Sequence, residues 1–141
     1  MMKARALLKR VYDEIGTLES LRRQRAMVIE DNAGMQAIRY DAVKVCGGHQ
    51  GDLSEVMENI EQQAKRIDML IAKQLERIMI HRQEAYELLE KLPGSPGKSA
   101  LQEHYLYRVP WSEVGRRLHF NRDYVREMAY KCMEELEAMD L

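Results

Sequence analysis

At 141 residues the chain amounts to about one domain, or a small domain with an extension, and 32% of it is charged at a formal net charge of −1. That balance excludes a globally basic nucleic-acid binder, so any such activity has to rest on local charge. Two cysteines, Cys46 and Cys132, no signal peptide and no long apolar run predict a reducing cytoplasm and no membrane span.

Glycine and proline are scarce and apolar residues recur at helical spacing, which predicts an all-α fold. Residues 3 to about 29 read as a first helix, with Leu7, Val11, Ile15, Leu18 and Leu21 forming a three-and-four stripe. Seven cations against Asp13, Glu14 and Glu19 give that helix a local +4. A solvated face beside a core stripe accounts for these charges. The sharper alternative is that Arg22, Arg23 and Arg25 touch phosphate or an acidic partner.

From Asp31 to Gly51 the glycines at 34, 47, 48 and 51 are expected to interrupt any helix. Asp52 followed by Glu55 resembles a capping box that opens a second long helix. Two rows then repeat every seven residues, one through Leu53, Ile60, Ile67, Gln74, His81 and Leu88, the other through Met57, Ala64, Ile71, Ile78, Ala85 and Leu92. This is the pattern of a coiled-coil seam. Such a helix would be about 60 Å long, so the shorter first helix would cover only part of it. The uncovered remainder predicts a homo-oligomer interface within residues 53–92, with Gln74 and His81 as polar groups that fix register.

Residues 93–97, Pro-Gly-Ser-Pro-Gly, read as a linker between a hairpin region (1–92) and a terminal module (98–141). A helix from about Lys98 to Arg108 is expected to turn Leu101, Tyr105 and Leu106 towards the two helices beyond it. Pro110 can open the next helix, because the amide it lacks would be unpaired in a first turn. Trp111, Val114 and Leu118 share a face, and Gly115 is small enough for close packing. Asn121 suits an N-cap for a last helix. There Val125, Met128, Cys132 and Leu136 form the inner row, and Arg122, Asp123, Arg126 and Glu127 begin the outer face. This is helix-turn-helix spacing, in which the first turns of the second helix reach base edges in a major groove.

Pro110-Trp111-Ser112-Glu113-Val114-Gly115 and Asn121-Arg122-Asp123-Tyr124-Val125-Arg126 resemble, without a gap, region 4 of the sigma-70 family of transcription initiation factors. The likeness extends to small phage and prophage proteins with a region-4-like end. Pro110 and Asn121 stand where Thr or Ser is usual, and Asp123 replaces Glu. The resemblance implies a bacterial transcription regulator that contacts double-stranded DNA through Arg122, Asp123, Arg126 and Glu127. RNA polymerase is the protein partner it implies. Tyr124 lies among these positions, and Arg116, Arg117 and Lys131 are expected to hold the phosphate backbone.

Charge supports a limited version of this. Residues 98–131 carry seven cations against Glu103, Glu113, Asp123 and Glu127, a net +3, whereas Glu134, Glu135, Glu137 and Asp140 make the tail −4. Affinity for DNA should therefore need a dimer or a partner already on the DNA. A small terminase-like DNA-packaging subunit, or an interaction module that binds no DNA, are the competing readings. Gly97-Lys98-Ser99 lacks the earlier glycine and the strand of a phosphate-binding loop. Cys46-x-x-His49 is half of a zinc-ligand pair with no second half. No catalytic constellation and no cofactor site are expected.

Overall fold

The computed structural model describes the backbone of residues 3–45 and 50–139 and the side chains of 3–34 and 54–139. Every regular element among them is helical, so the fold is all-α: α1 (Ala4–Val45), α2 (Gln50–Leu89), α3 (Pro96–Leu101) continued by a π-helical turn over 102–106, α4 (Trp111–Leu118) and α5 (Arg122–Met139). Cys46 and His49, the half pair of metal ligands, lie outside the described residues.

Two expectations about the long helices are corrected. Helix α1 does not stop near residue 29 but continues through Gly34 to Val45, and α2 is already under way at Gln50, so Asp52 is not its cap. A glycine inside a helix costs roughly 1 kcal/mol relative to alanine, which cooperative propagation along a long helix outweighs. The two helices are therefore nearly equal, at 42 and 40 residues. The inference that a short α1 leaves part of the α2 seam bare loses its premise.

The chain forms two compact units, Met1–Thr17 with Leu75–Leu141, and Leu18–Gln74. This division differs from the expected boundary at residues 93–97. The first unit takes in the start of α1 and the end of α2 because they supply much of its core. Ala4, Leu7, Leu8, Val11 and Ile15 of α1 and Ile78, Ala85 and Leu89 of α2 are buried, as are Leu101, Leu106, Val114, Val125, Ala129, Met133 and Leu136 beyond them. A module of about 45 residues is short of apolar area for independent stability. The added helix ends supply that area.

The expected linker is itself a packed corner. Ser95 caps α3 by accepting a hydrogen bond from the Lys98 amide at 3.2 Å, and Lys98 Nζ donates to the Leu92 carbonyl at 3.2 Å. A Cβ on Gly97 would lie 2.6 Å from Cys132 Sγ and 2.9 Å from the Met128 carbonyl oxygen, so α3 approaches α5 as closely as only glycine allows. Arg108 ends the expected 98–108 helix early, in a left-handed conformation with φ 56°. Its guanidinium donates to the Tyr12 carbonyl at 3.0 Å and lies over the Tyr12 ring. Gly16 leaves room for it, since a Cβ there would sit 2.7 Å from Arg108 Nη1. His81 Nδ1 and Glu14 Oε2, 2.8 Å apart, tie α2 to α1 within this unit.

The second unit is the antiparallel pairing of α1 and α2 alone. Arg25 of α1 pairs with Asp68 of α2, which marks their register. The seam residues Ile60, Ala64, Ile67 and Ile71 are only half-buried there, because one neighbouring helix cannot surround them. Gln74, predicted as a polar seam position, is buried.

Candidate nucleic-acid interface

The helix-turn-helix geometry arises from four local choices in the sequence. Pro110 is the N-cap of α4 rather than its first residue, with ψ 147°, and its carbonyl accepts from the Glu113 and Val114 amides, each at 3.0 Å. Its ring sets φ without needing the missing amide. At the far end His119 adopts the left-handed conformation, φ 63°, and the Phe120 amide bonds the Gly115 carbonyl at 2.9 Å. This closes α4 with a left-handed cap.

Gly115 is then the tightest point of the turn. A Cβ would stand 2.8 Å from the Phe120 carbonyl oxygen and 3.3 Å from the Arg122 amide nitrogen. Both neighbours are backbone, so the turn cannot move aside cheaply. Asn121 Oδ1 accepts from the Asp123 amide at 2.8 Å, which is the N-cap contact expected for it.

These constraints place the first turns of α5 outward. Arg122, Asp123, Tyr124, Arg126, Glu127 and Lys131 are exposed, as are Arg116 and Arg117 on α4. Val125 is fully buried beneath them. The inner row differs from the expected one by one position. Met128 and Cys132 are only half-buried, whereas Ala129 and Met133 join Val125 and Leu136 in the core. Helix α5 is held from more than one side, so its buried stripe is wider than a single three-and-four row.

The cations of this surface are not bare. Arg116 makes a two-pronged contact with Glu113, one prong 2.9 Å, and Arg117 reaches Glu113 at 3.3 Å and Glu103 at 3.4 Å. The hydrogen bond from Arg116 holds the Glu113 carboxyl below its ordinary range, with Arg117 adding to the effect, and Arg116 is raised in turn. On α5, Asp123 lies 3.5 Å from Arg122 and 3.7 Å from Arg126. Carboxylates thus pre-orient four of the five arginine and lysine side chains expected to meet DNA. A phosphate would have to compete with them. Glu113 is a partner that the sequence expectations omit, although its i, i+3 and i, i+4 spacing to Arg116 and Arg117 is a signal for it.

An aromatic cluster supports α4 from below. His104 stacks on Trp111 with ring centroids 3.7 Å apart, and its Nδ1 is 2.8 Å from the Val109 carbonyl oxygen, so that nitrogen carries the proton. Burial pushes its pKa down, with a smaller contribution of the same sign from Arg108 and an opposing one from Val109. Tyr12, Tyr105 and Tyr130 border the same cluster and line an open groove of about 560 Å³ beside Arg5, Lys9 and Glu134. No sequence pattern marks this cluster, because its members come from α1, the π-helical turn, α4 and α5.

Among the described residues no group of three metal-ligating side chains is assembled, and no helix is long and apolar enough to cross a membrane. Comparison of the chain with family models, curated proteins and solved structures finds no match, so its own geometry carries the functional reading.

Proposed function

We propose that the chain is a sequence-specific DNA-binding transcriptional regulator of phage or prophage type, working in the bacterial cytoplasm through a sigma-70 region 4-like helix-turn-helix. The observation that carries this reading is the presentation of Arg122, Asp123, Arg126 and Glu127 on the first two turns of a helix whose cap, closing turn and buried underside are all accounted for. Arg122 and Arg126 donate to guanine edges or phosphate, and Asp123 or Glu127 accepts from cytosine amino groups. Tyr124, with its ring 5.4 Å from that of Phe120, forms an exposed apolar shoulder beside them. Arg116, Arg117 and Lys131 hold the phosphate backbone and set register.

The proposed action is polymerase recruitment or operator occupancy. Selection of bound fragments from random DNA, with a salt-titrated gel shift on the selected site, tests it. Arg122→Ala is expected to cost about 1–3 kcal/mol on that site and to relax one base position. Equal losses on selected and random DNA would reduce Arg122 to a phosphate contact. No salt-sensitive binding at low ionic strength would leave a protein-interaction module instead. A ring of eight or more subunits would favour the packaging reading.

A further inference from the structure

The second compact unit carries a charge pattern that the DNA reading does not use. Taking the Arg25–Asp68 pair as the register, residues 18–28 of α1 lie beside roughly 65–74 of α2, and the next stretch of α1 lies beside 54–64. The first half holds Arg22, Arg23, Arg25, Lys65, Arg66 and Lys73 against Glu19 and Asp68, six cations to two anions, a net +4. The other half, 29–39 with 54–64, holds Glu30, Asp31, Glu55, Glu58 and Glu61 against Arg39, five anions to one cation, a net −4. All five of these carboxylates are exposed, and so are Arg22, Arg23, Lys65, Arg66 and Lys73. The intervening sequence 40–53 has Lys44 against Asp41 and Asp52, a net −1 that leaves the sign of neither half changed.

A solubilising surface intersperses both signs. Here they are segregated along one axis into blocks of nearly equal size and opposite sign. Two copies laid antiparallel bring each +4 half against a −4 half twice over, by one two-fold operation. Two parallel copies would oppose like with like at both ends. An isologous contact of this kind is self-complementary by symmetry.

Apolar surface is available in both halves. Met27, Met69 and Leu70 in the first and Ile29 and Val56 in the second are each at least 40% exposed, above a seam that is itself half-buried. We infer that the second unit is the site at which two copies of this chain associate antiparallel into a four-helix arrangement, with the opposed charge blocks setting orientation.

Size fixes how strong this association is. The α2 segment 54–74 is about 30 Å long, and two helices about 10 Å wide give a face of roughly 600 Å². A standard interface buries about 800 Å² per partner. The dimer is accordingly weak and sensitive to salt, since exposed charges are screened within a Debye length of about 10 Å at 0.1 M.

The test is molar mass of the full chain in solution, without DNA, so its outcome is independent of whether the chain reads promoters. At ionic strength of about 0.01–0.1 M and high protein concentration the mass should double, and near 1 M it should return towards that of one chain. A triple variant Glu55→Lys, Glu58→Lys, Glu61→Lys moves the acidic half by six charges, from −4 to +2. A second, Arg22→Glu, Arg66→Glu, Lys73→Glu, moves the basic half from +4 to −2. Each alone should remain a monomer with helicity retained, and mixing the two should restore a one-to-one dimer. A wild type that stays monomeric at low salt, an assembly larger than two, variants that dimerise like wild type, or a mixture that does not recover would each overturn the inference.

Discussion

The two units put one heptad pattern into two environments. In the first, one of the two rows that run along α2 ends at Ile78, Ala85 and Leu92, each at most 3% exposed, because α1 covers one side and the short helices cover the rest. In the second, Ala64 and Ile71 belong to the same row and remain half-buried, with only α1 beside them. A seven-residue repeat therefore says which face of a helix is apolar. How dry that face becomes depends on how many elements surround it.

The strongest test separates the units directly. Leu101→Ala in the first unit should cost about 2–5 kcal/mol, the range for emptying a fully buried leucine site. Ile67→Ala in the second should cost under about 2 kcal/mol, since part of that side chain already meets water. The single tryptophan, Trp111, lies in the first unit, so denaturation monitored by its fluorescence and by helicity resolves the two. Equal costs would mean that the second unit is as well covered as the first, and would point to a partner on it.

A smaller change probes the turn. Gly115→Ala places a methyl group against the Phe120 carbonyl and the Arg122 amide, and overpacking of this kind costs about 1–3 kcal/mol. On the proposed function it should also reduce binding to selected DNA while total helicity is largely kept. Unchanged stability would show that the turn yields more easily than two backbone contacts suggest.

Weakest of the three is a pH dependence confined to the first unit. His104 has its pKa lowered by burial, so the unfolded chain binds its proton more readily than the native one. Its contribution is present above the unfolded value near 6.5 and is lost as pH falls from there through the lower folded value. Glu113, also lowered, acts in a separate window beneath the ordinary carboxylate range. His104→Phe, which keeps a ring on Trp111, should flatten the Trp111-detected stability curve in the upper window alone. Persistence of the slope in that variant would assign it to another group.

Much of the terminal module is legible in the chain. The N-cap at Asn121, the glycine at 115, the outward set from Arg122 to Glu127 and the buried Val125 and Leu136 each obey a local rule about caps, turns or period. The misplacements have local causes as well. Gly34 and Gly51 carry the signature of helix breakers, yet one glycine's cost is small beside a long cooperative helix. Pro-Gly-Ser-Pro-Gly has the composition of a free linker, although proline and glycine serve equally well where two helices must approach closely, as Gly97 does against Cys132.

The order of amino acids is enough to dictate the all-α class and the capped helix-turn-helix, because each depends on neighbours within a turn or two or on composition along a stretch. It took long-range packing to bring the start of α1 and the end of α2 together with the terminal module, to draw Arg108 out of its helix onto Tyr12, and to set His104 between Trp111 and the tyrosines. Those outcomes depend on which distant faces are pressed together and how much water they exclude. No periodicity along a single chain encodes that directly.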